Sequence, residues 1–391
     1  MNTISMSGQR LSTHIFLWIM ALGLFLFSVS SYFPLPSKAL FFAGIILPGL
    51  IWLIWKPTAL PKLFLAFSWM LLPIALIQLL NIHEWYEIKL WLYLLGFLSC
   101  CVFLDRQNYL ERIVTGFSWA SLAVLAYCSF DWIIIHQQTG EWIRYDILFG
   151  REVDPIDTAM VIGTGLLYLW LKKAEPRLQG LSSAHLLLGI MILSGLILLA
   201  STVFQARTLL LAYALFLVVY IYCRRLWVLG LTAVLAVLFL GYLAGLDHLL
   251  LQRGLSYRPQ IWADALDRVT HVCNIWIGCG KDGYRFLTMY THAHNFLLQI
   301  LYEDGLLGLG IFSLFAGYLM KKGIRSNAFL LVVLGIGAQL SNTGWLLVSP
   351  KSLWVYFWLP ITMAMIEISR GKMTAYWIAR GELQFIEDHP R

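Results

Sequence analysis

The stretch Thr291-His292-Ala293-His294-Asn295-Phe296-Leu297-Leu298-Gln299-Ile300-Leu301-Tyr302-Glu303-Asp304-Gly305-Leu306-Leu307-Gly308-Leu309-Gly310 opens polar and runs directly into an apolar segment that reaches Leu319. That pattern is a helix entering a membrane with titratable groups at its mouth. A helix starting near Asn295 carries Asn295, Gln299, Tyr302 and Glu303 on one face, at i, i+4, i+7 and i+8, with His294 at its head. Two readings of that head stand side by side: a reactive site at the membrane surface, or an interfacial cap whose histidines hydrogen-bond water.

The rest of the chain sets the context. It has 391 residues, 60% hydrophobic and 13% charged, with 17 tryptophans and a mean hydropathy of +0.74. The expected class is an all-α polytopic integral membrane protein with membrane lipids, and no nucleic acid, as partners. A helix needs ~20 apolar residues to cross the hydrocarbon core. Candidate spans lie near 13–32, 38–56, 63–80, 88–104, 113–135, 156–171, 184–203, 208–222, 226–244, 296–320, 327–347 and 351–368. These make a single transmembrane domain over 1–391 of about twelve helices. Pro48, Pro73 and Pro360 sit inside apolar runs and are candidate kinks.

Charge sets the orientation. Arg106, Lys172, Lys173, Arg224, Arg225, Lys321, Lys322 and Arg370 fall in alternate short loops, which is the cytoplasmic pattern. Both termini and a tail at 369–391 are expected on that side, with no cleavable signal, because the first apolar run is long enough to remain as a span. Loops near 33–38, 81–88, 136–155, 204–207, 245–295 and 348–351 then face outward. Tryptophans and tyrosines near the span ends read most simply as an interfacial belt.

Several cations break the outward pattern. Arg207 stands between two long apolar runs, where a cation costs ~2.5–3.5 kcal/mol at helix-centre depth, and acids are scarce in the spans, so a ligand anion is the favoured partner. The large loop at 245–295 carries Arg253, Arg258, Arg268, Lys281 and Arg285. Within it, residues 256–269 read as a short helix: Pro259 suits the first turn, and Ile261, Trp262, Ala265, Leu266 and Val269 make an apolar face. Arg258, next to Tyr257, stands at the positive end of that helix, a place suited to phosphate. Lys89, after Glu84 and Glu87, either pairs with a carboxylate or joins the outward cations. The loop at 136–155 mixes charges and aromatics as a cover over a polar cavity would, or as an ordinary solvated connection would.

Of six cysteines, Cys273 and Cys279 alone share the outward loop, where a disulfide between them is expected. Gly278-Cys279-Gly280-Lys281-Asp282-Gly283 is a glycine-rich turn without the Gly-Lys-Ser/Thr ending or strand of a nucleotide loop. His292 and His294 are two residues apart with no third ligand in sight, so no metal is expected.

Taken in order, Ala206-Arg207-Thr208, Tyr257-Arg258 with Trp262, the Gly278/Gly280 turn, and His292-Ala293-His294-Asn295 with Leu297, Glu303, Gly305 and Gly308 resemble the O-antigen ligase and O-antigen polymerase superfamily. The resemblance covers about residues 85–310. It implies an inverting, metal-independent glycosyltransferase with no cofactor, in the bacterial inner membrane with its site facing the periplasm, acting on an undecaprenyl-diphosphate-linked glycan. It further implies His294 or His292 as catalytic base, Arg207, Arg258 and Lys89 as ligands of the donor diphosphate, and Asn295, Glu303 and Tyr257 in support. The ligase branch, with lipid A-core as acceptor, is preferred over polymerase; a protein-glycosylating relative and a lipid-linked sugar transporter stand further off.

Overall fold

The computed structural model describes residues 3–33, 35–56, 86–243, 257–280, 284–287, 289–324, 326–341 and 350–370, together with Leu72, Ile74, Leu76 and Ile77. Most of the span expected at 63–80, the outer segment 244–256, Lys281, the end of the span at 327–347 and the tail from 371 lie outside the described residues.

The described chain is almost wholly helical. In order come α1 (Thr3–Val29), α2 (Ser37–Trp55, with a wide turn at Phe42–Ile46), α3 (Tyr86–Arg106) and α4 (Leu110–Thr139). A two-stranded hairpin, β1 (Ile147–Leu148) and β2 (Arg151–Glu152), precedes α5 (Pro155–Leu169), which continues through a wide turn at Trp170–Ala174. Then follow α6 (Ser183–Val203), α7 (Arg207–Arg224), α8 (Trp227–Leu243) and the short α9 (Arg258–His271). The chain closes with α10 (Phe296–Gly323), α11 (Asn327–Gln339) and α12 (Trp354–Ser369).

Among the described residues, five helices are long and apolar enough to cross a membrane: α2, α4, α6, α7 and α10. Shorter apolar helices run over His14–Val29, Trp227–Ala236, Asn327–Gln339 and Trp354–Ser369. Their interiors hide what polar groups they have. Ser28, Ser99, Ser118, Thr164, Ser194 and Thr362 each donate to the carbonyl four residues back, which satisfies these hydroxyls within their own helices. Close approach is bought with small residues: a Cβ on Gly49 of α2 would lie 2.1 Å from the Gly96 carbonyl oxygen of α3.

The bundle has two chemically distinct ends. At one, Arg224 binds both oxygens of Glu175 at 2.7 and 3.0 Å and the Asn327 amide oxygen at 2.6 Å, while Ser326 donates to Glu367, which also meets Lys172. Arg370 of α12 reaches Asp105 of α3 there. At the other end, Arg144 and Gln205 join the 140–146 segment to the α6–α7 turn through the Phe204 and Trp142 carbonyls, and Ser352 donates to Asp157. Since α7 spans 18 residues, Arg207 and Arg224 are separated by about 26 Å along it, close to the thickness of a hydrocarbon core.

The hairpin was not expected from the sequence. Its turn, Phe149–Gly150, has both φ values positive, 51° and 74°, which matches the twist of a tight hairpin although phenylalanine is an unusual residue there.

Candidate active site

The site is built on three helix beginnings at one end of the bundle. Gln205, at φ 45°, breaks the chain between α6 and α7, and the Ala206 N–H bonds back to the Ser201 carbonyl, so α7 starts on Arg207. Tyr257 precedes α9, whose first residue is Arg258 and whose first turn holds Pro259 as the sequence suggests. Asn295 caps α10: its side-chain oxygen accepts from the Leu297 and Leu298 N–H groups at 3.0 and 3.2 Å.

The expected apolar face of α9 is mostly realised. Ile261, Ala265 and Val269 are buried with Tyr284, Ala293 and Tyr302, and Trp262 packs beside them, whereas Leu266 stays exposed. This cluster fastens α9 to the start of α10. It places two of the loop arginines differently: Arg268 pairs with Asp264 at 3.1 Å and lies over the Tyr284 ring, while Arg258 opens the helix.

Arg207 and Arg258 stand close enough for their charges to act on each other. Burial, and then the charge of Arg207 beside it, push the Arg258 guanidinium below its ordinary range. Two cations brought together from helix starts fifty residues apart repel, and an anion touching both relieves the repulsion. The N–H groups at those helix starts favour the same anion.

From Tyr257 the contacts lead to the histidines. Its ring lies 5.9 Å from that of Tyr290, which lies 5.8 Å edge-on to His294, whose ring is 4.1 Å from that of His292. His294 holds φ 51°, a left-handed backbone that non-glycine residues adopt rarely. Beneath it, the Gln299 side chain accepts from the Ala293 N–H at 2.8 Å and donates to Glu303 at 2.5 Å. Gln299 and Glu303 are buried, so Glu303 supports the histidine turn from inside rather than lining its open side.

Burial, then His294, then Lys351 push the His292 pKa from 6.5 down to about 4. The folded protein therefore keeps this ring neutral at a pH where an unfolded chain would protonate it. Stability is full above 6.5 and is lost as pH falls from 6.5 towards about 4. The thermal midpoint of the purified protein is expected to fall across that window, and His292→Gln to flatten the fall.

The chain is 31% identical over 153 residues to a curated O-antigen ligase of Pseudomonas aeruginosa. Over that segment it is a homologue of an O-antigen ligase. The match takes in 36% of this chain and spans 37% of the ligase's length. No family model matches the chain.

Of the expected site residues, Arg207 acts on Arg258 by its charge, and the ring of Tyr257, next to Arg258, leads through Tyr290 to His294 and His292 beside the Asn295 cap. Lys89 stands half-buried in the first turn of α3, at the same end of the bundle. One contributor went unnoticed in the sequence, and another stood there only as part of the mixed-charge loop at 136–155. The charge of Lys351, in the segment before α12, acts on His292, and Arg144 of the 136–155 loop donates to the Phe204 carbonyl at the α6–α7 turn.

The expected disulfide joins Cys273 and Cys279. Its loop does more than close on itself. Gly305, at φ 66° and ψ −165°, interrupts α10, and the loop fills the break. Cys279 and Gly280 donate to the Tyr302 and Glu303 carbonyls at 2.6 and 3.1 Å, while Leu306 and Leu307 donate to the Ile275 and Trp276 carbonyls at 2.9 and 3.1 Å. A Cβ on Gly305 would sit 2.4 Å from Trp276 backbone atoms, in a conformation essentially reserved for glycine. Gly305→Ala is expected to destabilise the protein by about 1–3 kcal/mol or more, seen as a lowered thermal midpoint together with faster alkylation of Cys273 and Cys279 after mild reduction.

Proposed function

We propose that the protein is an O-antigen ligase: an inverting glycosyltransferase that moves a glycan from undecaprenyl diphosphate to a hydroxyl of lipid A-core, without cofactor or metal. In this reading it crosses the bacterial inner membrane about twelve times, with cytoplasmic termini, and works at the periplasmic face. What supports the reading is that Arg207 and Arg258 act on each other by charge and that Tyr257, next to Arg258, leads through Tyr290 to the histidine pair, in a chain partly homologous to a ligase.

The chemistry follows from the residues. Arg207 and Arg258, helped by Lys89, hold the donor diphosphate and stabilise the charge that grows on it as it leaves. A neutral histidine takes the proton from the acceptor hydroxyl while that oxygen attacks the anomeric carbon from the face opposite the diphosphate. The new glycosidic bond forms as the sugar–phosphate bond breaks, and configuration inverts. His294 is the better base of the two, because a group with a pKa of about 4, as at His292, is a weak proton acceptor near pH 7. His292 then serves as the neutral neighbour that orients it.

Lipopolysaccharide banding in a deletion strain tests the assignment. Loss of all O-antigen with accumulation of lipid-linked polymer is the ligase result; a core bearing a single repeat would make the protein a polymerase instead.

A further inference from the structure

A second concavity opens at the same end of the bundle, away from the arginines. It has a volume of ≈ 240 Å³ and lies between the end of α1, the hairpin, the start of α5 and the segment leading into α12. Ser30, Arg151, Glu152, Asp157, Lys351 and Ser352 contribute to its wall. None of Arg207, Arg258, His292 and His294 lines it.

Its chemistry is specific. Asp157 is set in place at both oxygens: Ser352 donates to one at 2.6 Å and Tyr356 to the other at 3.2 Å. Asp157 is thus an oriented carboxylate on the cavity wall. Glu152 is exposed on β2, and hydroxyls complete the wall. Carboxylates here outnumber cations once Asp154 is included, which disfavours an anionic ligand. A metal is disfavoured too, because Asp154 is occupied in capping α5 and Arg151 and Lys351 stand in the same wall. Oriented carboxylates with hydroxyls and a few cations are what a neutral, polyhydroxylated ring requires. The volume lies below the ~300–1,000 Å³ typical of drug-sized ligand sites, on the scale of a sugar unit rather than a polymer.

Position supplies the role. The rings of Tyr257, Tyr290, His294 and His292 follow one another from the start of α9, and the charge of Lys351, which is part of the cavity wall, acts on His292. The cavity thus has a wall residue in the surroundings of the histidines. The geometry points to a saccharide subsite for the acceptor, in which Asp157 and Glu152 bind hydroxyls of a neutral sugar ring of the acceptor glycan while Lys351 marks its border with the catalytic histidines. This assignment rests on the ligase reading for the identity of the acceptor.

The test uses the full-length protein in nanodiscs, with lipid-linked glycan as donor and lipid A-core from an O-antigen-deficient strain as acceptor. Asp157→Asn is expected to raise the acceptor KM ~10-fold or more, as loss of a hydrogen bond to a charged group would, with the donor KM unchanged. Glu152→Gln, at an exposed position outside the Asp157 hydrogen bonds, should shift the same constant in the same direction and serves if Asp157→Asn fails to fold. Saturation-transfer NMR with delipidated core oligosaccharide reads binding without turnover: signal on the unsubstituted protein that weakens in Glu152→Gln supports the subsite. Equal signal from both proteins, no signal from either, or a rise confined to the donor KM would overturn it. Failure of the unsubstituted protein to transfer glycan to lipid A-core would instead count against the ligase reading, whatever the NMR result.

Discussion

His294→Ala is expected to insert, fold and bind lipid-linked donor normally while transferring glycan ~10²–10⁴-fold more slowly, the loss typical of a removed general base. Three structural facts make the effect this large. His294 stands at the head of α10 in a left-handed backbone conformation, its ring adjoins Tyr290 on one side and His292 on the other, and the turn that carries it is held by Gln299. The same substitution at His292 should cost less, because that ring is already a poor proton acceptor. In vitro transfer measured for both variants decides the matter: near-normal turnover by His294→Ala would remove it from the chemistry, and a larger loss at His292 would exchange the two roles. Replacing Gln299 is expected to act indirectly, through the position of Ala293 and the rings on either side of it.

The arginines give the second large effect. Lysine at Arg207 or Arg258 keeps the charge but loses the planar two-pronged fit to phosphate oxygens, so each Arg→Lys change should remove most of the transfer and each Arg→Ala change nearly all. The two positions should also be non-additive, since they act on one diphosphate. A titration of the purified variants with lipid-linked donor separates binding from turnover. Silent lysine variants at both positions would leave the pair a structural role at their helix starts.

Much of this was legible along the chain, and the exceptions share a cause. Asn295 announces its own cap, because a short polar side chain stands where a polar run turns apolar, and the structure bonds it to Leu297 and Leu298. Pro259 and the spacing of Ile261, Ala265 and Val269 place α9 to within two residues. Arg207 is conspicuous as a lone cation between apolar runs. Lys351 and Asp157 are not, because each looks ordinary beside its neighbours in sequence. Their roles arise only when the start of α12 is laid against α5 and the histidine turn. Glu303 was readable as part of a polar face, but its burial against Gln299 depends on the loop that covers it. Gly305 carried a motif signal, yet nothing local says that residues 275–280 will occupy the gap it makes.

That filled gap has a consequence in time. The first half of α10 carries Asn295, Gln299 and Glu303, the second half is the apolar span, and the angle between them is held by hydrogen bonds from a loop that Cys273 and Cys279 close. A newly made chain has its arginines and histidines as soon as it is synthesised, but it gains the covalent closure of that loop only where thiols are oxidised. In the proposed topology the disulfide thus dates the molecule, since it separates a chain that has delivered its loop across the bilayer from one that has not.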